Sequence, residues 1–267
     1  MPQTYALVTG ASSGIGEVFA RELARTGRSL ILVARSAQRL ELLRSELQAG
    51  YPALEVVVLP RDLSQPDAGA ELFRETEARG LNVDLLINNA GFGGFDDFVE
   101  LPLHRQKEML RVNIEALVEL THYFLPPMRK RRAGAVVNIA STAAFFPGPY
   151  FATYAATKAF VLSFSQALFV ENRSHGVLVM AVCPGATATN FFEVAKMHTF
   201  AQRVRMQTPE QVVSEAMRAL RNRRPVVVTG VPNKILAISS RFIPRVILLR
   251  VGGPIFERMY RQQRGST

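Results

Sequence analysis

The chain has 267 residues, 48% of them apolar, a single cysteine (Cys183) and a formal net charge of +10. That is material for one large or two small domains with a sizeable core; it excludes an intramolecular disulfide and fits a reducing compartment, and His104, His122, His175 and His198 lack metal-ligand spacing, so no metal is implied. The charge raises nucleic acid or an anionic membrane as partners, yet no apolar run reaches the roughly 20 residues of a membrane span.

Met1-Pro2-Gln3-Thr4 leads into an apolar segment without the basic and apolar regions of a signal peptide, so no leader is expected. Short apolar runs at Ala6–Val8, Leu30–Val33, Val56–Leu59, Leu85–Ile87, Val136–Ile139, Val177–Val182 and Val226–Val228 read as buried strands. Helical spacing falls near 15–26, 37–49, 67–79, 104–130, 152–174 and 209–222. This alternation predicts an α/β fold, a single doubly wound, Rossmann-like parallel sheet of about seven strands with helices on both faces. No repeat or low-complexity linker divides it, so 1–230 reads as one domain and 231–267 as a C-terminal extension of it. Arg129 to Arg132 and Arg221 to Arg224 fall at predicted helix ends, where cations complement the dipole.

The first strand runs into Thr9-Gly10-Ala11-Ser12-Ser13-Gly14-Ile15-Gly16, followed by helix spacing. Such a turn presents backbone N–H groups and a helix N-terminus to a phosphate. The pattern T-G-x-x-x-G-x-G is not the literal G-x-G-x-x-G fingerprint, and the glycines could serve as tight-turn residues alone. The second strand ends at Arg35, about 20 residues beyond the turn, where an acidic residue would hold a ribose 2′-hydroxyl and a cation suits a 2′-phosphate. The other reading is a solvated charge, although a cation just before a helix start is unfavourable. Asp62 and Leu63 border an adenine, or Asp62 caps a turn. Asn88-Asn89-Ala90-Gly91 closes the fourth strand, at the edge where open α/β sheets bind ligands. Asn113 sits inside the helical pattern 104–130, a poor choice on propensity.

Ser141 to Lys158 reads STAAFFPGPYFATYAATK. Tyr154 and Lys158 are four apart on a helix and share a face, with Cβ atoms about 5 to 6 Å apart. The ammonium is expected to lower the phenol from its ordinary value near 10, and an oxidised nicotinamide to lower it further, toward general acid/base work. Chance pairing on a helix surface is the alternative.

In this order, Thr9-Gly10 with Gly14 and Gly16, Asn88-Asn89-Ala90-Gly91, Asn113, Ser141, Tyr154 with Lys158, and Pro184-Gly185 with Thr189 resemble the short-chain dehydrogenase/reductase family from about Thr4 to Gly230. The resemblance implies a dinucleotide-binding catalytic domain. Tyr154 would be the acid/base, Lys158 would tune it and hold the nicotinamide ribose, Ser141 would bond the substrate oxygen, and Asn113 would hold a water relaying protons to Lys158. Gly10, Ser12, Ser13, Gly14, Ile15, Gly16, Arg35, Asp62, Leu63, Asn89, Ala90, Gly91, Pro184, Gly185, Thr187 and Thr189 would contact NADP(H), together with Tyr154 and Lys158. Thr187 stands where the family usually has Val or Ile. The implied activity is carbonyl/alcohol interconversion by hydride transfer, in the branch of hydroxysteroid and long-chain ketone reductases. A catalytically silent dinucleotide-binding regulator is the alternative, opposed by the presence of all four catalytic residues. Nucleic acid is not expected, for want of a basic stripe with interleaved aromatics.

Phe92, Phe95, Phe145, Phe146, Tyr150, Phe151, Phe191 and Phe192 surround the site and favour a small apolar ketone or alcohol as substrate; core packing is the other reading of each. Phe191 to Arg205 occupies the family's lid position. After Gly230 seven basic residues stand against Glu257, a net +6, around apolar clusters at Ile235–Ile238 and Val246–Leu249. Lying on an anionic membrane, closing the pocket and joining subunits are all open to this tail. Tyr154 to Phe169 resembles the family's subunit-contact helix, implying a homo-dimer or tetramer. The expected location is cytoplasmic, with a peripheral membrane position as the variant.

Overall fold

Tyr5–Thr9 (β1) and Ser29–Ala34 (β2) are buried at every position. Strands apolar on both faces need cover on both sides, which a parallel sheet inside two helical layers provides. The computed structural model, describing residues 3–197 and 204–264, has that architecture. β1 and β2 are joined by Val56–Pro60 (β3), Val83–Asn88 (β4), Gly134–Ile139 (β5), Val177–Cys183 (β6) and Val226–Val228 (β7). All seven run parallel, in the order β3-β2-β1-β4-β5-β6-β7.

The pleat sends alternate residues to opposite layers. Ala6, Val8, Leu30 and Leu32 meet Phe19 and Leu23 of α1 (Gly14–Arg25), Leu40 of α2 (Ala37–Gly50) and Met217 of α8 (Pro209–Arg221). Leu7, Ile31, Val33 and Leu86 face the other way, onto Leu72 of α3 (Ala68–Ala78) and Leu120, Phe124 and Met128 of α5 (Ala116–Arg131). Each large side chain so buried contributes about 1.5 to 3 kcal/mol.

After β3 the chain crosses back, so β4 lies on the other flank of β1, with Val8 opposite Ile87. Strand order reverses there, and the C-terminal ends of β1 and β4 open the crevice where such sheets bind ligands.

One expected helix is broken. The span 104–130 divides into α4 (Leu103–Leu110), a π turn over Arg111–Glu115, and α5. A wide turn of this kind is typical of functional positions in helices, and Asn113, which helix propensity disfavours, lies in it and is buried.

The tail forms α9 (Val231–Ser239) and α10 (Arg245–Arg264). Glu215 of α8 anchors α9 by accepting from Gly230 N (2.9 Å) and Lys234 Nζ (2.8 Å). The far half of α10 packs on the sheet's C-terminal edge, where Tyr260 stacks on Tyr150 at 4.3 Å and Arg264 pairs with Glu100 at 3.2 Å. Neither helix is long and apolar enough to cross a membrane. Of the expected lid Phe191–Arg205, α7 (Phe191–Val194) continues to Met197, and 198–203 lie outside the described residues.

Candidate active site

The crevice is clamped by Thr9. Its buried hydroxyl accepts from Asn89 N (2.9 Å) and Ala90 N (3.0 Å), while Asn89 Nδ2 donates to Thr9 O (2.9 Å). The ends of β1 and β4 are thereby locked together. Gly10 turns at φ +65°, and a Cβ there would fall 3.1 Å from Ala90 Cα, so both conformation and space require glycine. A Cβ on Gly16 would fall 2.3 Å from Gly10 O. Gly16 therefore packs α1 closely against the strand end at the back of the turn.

Ser13 precedes α1 in extended conformation and its hydroxyl makes no capping bond. Ser12, Ser13, Gly14 and Ile15 line the cleft, so the uncapped N–H groups of the helix start face it. This is the arrangement that binds a diphosphate. Arg35 also lines the cleft; its side chain is 71% exposed and lies 3.6 Å from Glu108, a pair of little energetic weight. Ser36 caps α2 through Arg39 N, and Arg39 joins Arg35 on the cleft wall. Arg39 was missed by the sequence reading; its spacing of four from Arg35 was the signal. Asp62 caps a turn: its carboxylate accepts from Ser64 N (3.0 Å), Ser64 Oγ (2.8 Å) and Gln65 Nε2 (3.2 Å), and with Leu63 it lines the cleft. Across the opening, Pro184, Gly185, Thr187 and Thr189 form the other lip. A Cβ on Gly14 would meet Thr189 Cγ2 at 2.9 Å, so the lips touch there.

The catalytic candidates converge on α6 (Ala152–Arg173) and the end of β5. Ser141 caps the 3-10 turn Thr142–Phe145 by accepting from Ala143 N (3.1 Å), and its side chain lies beside the Tyr154 phenol, whose pKa it pulls down. Tyr154 is buried, stacked on Phe151 at 4.3 Å. Lys158, also buried, donates from Nζ to Ile139 O (2.7 Å), with Nζ 5.7 Å from the centre of the Tyr154 ring. Asn113 bridges to the loop after β4: Oδ1 accepts from Phe92 N (3.1 Å), while Nδ2 donates to Phe92 O (3.0 Å) and Thr157 Oγ1 (3.1 Å). A Cβ on Gly91 would come 2.9 Å from Asn113 Oδ1 and 3.4 Å from Lys158 Nζ, so glycine leaves room for both side chains beside the loop. Ser141, Tyr154 and Lys158 line the cleft; Asn113 stands behind it.

The expected lowering of the Tyr154 pKa is overturned for the protein's own groups. Burial pushes the phenol up to about 12, against the pull of Ser141, because a phenolate is poorly solvated there. The ammonium is turned to a carbonyl, and burial pushes Lys158 down to about 8. Cys183, buried on β6, has its thiol pushed up to about 12 by burial and is no nucleophile at neutral pH.

Beneath these residues runs a polar ladder that sequence reading missed. Asn88 Nδ2 donates to Asn138 Oδ1 (2.9 Å) and Thr121 Oγ1 (3.1 Å), and Asn138 Nδ2 donates to Ser165 Oγ (2.9 Å). The signal was two amides at matching positions of adjacent buried strands, Asn88 opposite Asn138.

The cleft encloses about 500 Å³. Phe92, Phe146, Phe151, Phe191 and Phe192 line it as expected, with Met197 and, from α10, Phe256. Phe95 and Tyr150 stand behind that wall, in contact with Phe151 and Tyr260. Phe145 is a correction: it turns to Val226 and Val228 under β7, because the 3-10 turn ends at Phe145 and the extended backbone of Phe146 swings the next ring to the opposite side.

Residues 4–198 match the short chain dehydrogenase family. A very-long-chain 3-oxoacyl-CoA reductase-like protein of Arabidopsis thaliana is 39% identical over 185 residues, covering 68% of this chain and 59% of the relative. The chain thus spans about six tenths of the length of such curated relatives. Among solved structures, a short-chain dehydrogenase from Sphingobium yanoikuyae in complex with NADPH superposes with a TM-score of 0.80 at 33% identity, over 84% of this chain and 87% of that one. The bulky-bulky ketone specific alcohol dehydrogenase from Comamonas testosteroni superposes with a TM-score of 0.76 at 30% identity, over 85% and 86%. With this sheet, this cleft and these matches, the chain belongs to the short-chain dehydrogenase family.

Proposed function

We propose that the protein reduces bulky apolar ketones with NADPH, Tyr154 serving as the acid. The observation that carries this reading is the meeting of two hydroxyls, the half-buried Ser141 and the buried Tyr154, with a wall of phenylalanines in one cleft. The reductase and ketone-dehydrogenase names of the similar proteins support it. Bound at the α1 start, the dinucleotide supplies the hydride; Arg35 and Arg39, beside the ribose end of the cleft, suit a 2′-phosphate and favour NADPH over NADH. Ser141 stabilises the charge that grows on the substrate oxygen, and the Tyr154 hydroxyl donates the proton that quenches it. Lys158, beside Gly91 as Asn113 is, supplies the replacement proton from behind. A silent regulator would need none of this acid/base set.

The subunits of the proposed enzyme associate through α6. Its outward positions Ala152, Ala156, Ala159, Ser163, Gln166 and Val170 recur at helical spacing and are exposed, yet mostly small and apolar.

Tyr154→Phe tests the mechanism. The ring still packs and only the transferable proton is lost, so kcat should fall about 10²-fold or more with NADPH affinity, read by fluorescence titration, unchanged. Retention of most of the activity would end the assignment.

A further inference from the structure

α10 has two opposite faces. Phe256, Met259 and Tyr260 pack on the cleft wall, and Phe256 reaches the cleft itself. Ile247, Val251 and Ile255, spaced i, i+4, i+8, form a stripe on the other side, 48%, 64% and 56% exposed. Arg250 and Arg258 are exposed on that outward side and enter no ion pair among the described residues. α9 and the link to α10 add Ile235, Ile238 and the 81% exposed Phe242, with exposed Arg241 between the clusters. More than half of the exposed large apolar side chains among the described residues lie between Val231 and Ile255. The one carboxylate side chain after Gly230 is Glu257, already bonded to Arg261.

A surface this apolar marks a contact, and its charge selects the partner. A second copy docked by a two-fold axis would lay this basic patch, with Arg241, Arg250 and Arg258 and no free carboxylate, against itself, like charge on like. A nucleic acid would leave the aliphatic stripe without an apolar partner. An anionic bilayer satisfies both features, with phosphates at the arginines and acyl chains under the aliphatic side chains.

We propose that α9 and α10 dock the protein peripherally on an anionic lipid surface, outward stripe down, so that an apolar ketone dissolved in the lipid reaches Tyr154 past Phe256. Delivery by this route rests on the reading of the cleft as an apolar-ketone site, whereas docking does not.

The test uses the full chain and vesicles of phosphatidylcholine, with and without phosphatidylglycerol. At low salt the protein should sediment with the anionic vesicles at least tenfold more than with the neutral ones. Each arginine near such a surface is worth about fivefold, the equivalent of about 1 kcal/mol, so Arg250→Glu with Arg258→Glu should weaken binding at least about 25-fold. Ile247→Asp with Val251→Asp should release the protein likewise. Both variants should keep wild-type circular dichroism and kcat/KM for a water-soluble ketone, and lose turnover of a ketone carried in the anionic vesicles. Docking is overturned if the wild type does not sediment at low salt, if the outward variants bind as well as wild type, or if the aspartate variant lowers the mass by light scattering, which would show a second copy on this face. Wild-type binding with equal turnover of vesicle-borne ketone by bound and released variants would overturn delivery alone. Absence of turnover on every ketone in water would instead strike the reading of the cleft.

Discussion

Lys158 sits where its charge is costly. Folding lowers its pKa from 10.5 to about 8 by burial, so between those values the unfolded chain holds the proton more firmly and stability from this group rises with pH. Below pH 8 it is a constant cost on the order of 3 kcal/mol. Tyr154 acts in the opposite sense: its neutral form is held, so its contribution is complete below pH 10 and lost as pH rises toward 12. Lys158→Met should therefore raise stability at pH 7 by about 1 to 2 kcal/mol, the loss of the bond to Ile139 O offsetting part of the gain, while abolishing turnover. Urea titrations at pH 7 and 10 check this, since the advantage should shrink at the higher pH. At the other end of the cleft, Arg35 is exposed and weakly engaged by Glu108, which leaves it available to a ligand phosphate. Arg35→Asp should shift the ratio of kcat/KM for NADPH over NADH by about tenfold or more toward NADH, by removing a charge-assisted contact and adding a repulsion. An equal loss with both cofactors would remove the 2′-phosphate role.

At the scale of elements, the π turn decides how the site is assembled. By widening the helix between α4 and α5 it aims the Asn113 amide between the loop after β4 and α6, where three hydrogen bonds fix Phe92 and Thr157. Asn113→Ala leaves the Phe92 N–H and C=O without partners. The expected cost is about 2 to 4 kcal/mol in urea unfolding, with a fall in kcat because Gly91 and Lys158 lose their neighbour. A stability change below about 1 kcal/mol would mean that the loop is held by something else. The same logic applies to the Asn88-Asn138-Ser165 ladder, which sets the spacing between β4, β5 and α6 and hence the distance from Ser141 to Tyr154.

For the molecule as a whole, the C-terminal extension packs back onto the cleft. It leaves the sheet at Gly230, is tied to α8 by Glu215, and returns through α10 to wall the cleft with Phe256. Phe256→Ala should raise KM for bulky apolar ketones about five- to tenfold, the equivalent of losing part of a phenyl burial, and leave KM for NADPH unchanged. Steady-state kinetics with one bulky and one small ketone separates a lost wall from general destabilisation, since only the former discriminates by substrate size.

The sequence by itself determined the sheet and most of the site. Short apolar runs alternating with helical patterns read as strands covered on both faces, and the glycine turn, Asn89, Ser141, Tyr154 and Lys158 are local signals fixed by chain spacing. Properties that depend on long-range contact were settled by tertiary structure alone. The helical pattern 104–130 has no local break, because the π turn answers to Phe92 and Thr157, which lie 21 and 44 residues away from Asn113. The direction of the Tyr154 shift follows from burial, which no i, i+4 spacing encodes. Phe145 and Phe146 are neighbours in sequence and sit on opposite sides of the 3-10 turn. The tail's apolar clusters were legible as such, but which side of α10 meets Tyr150 and which faces outward was decided by the packing of Tyr260, 110 residues further along the chain.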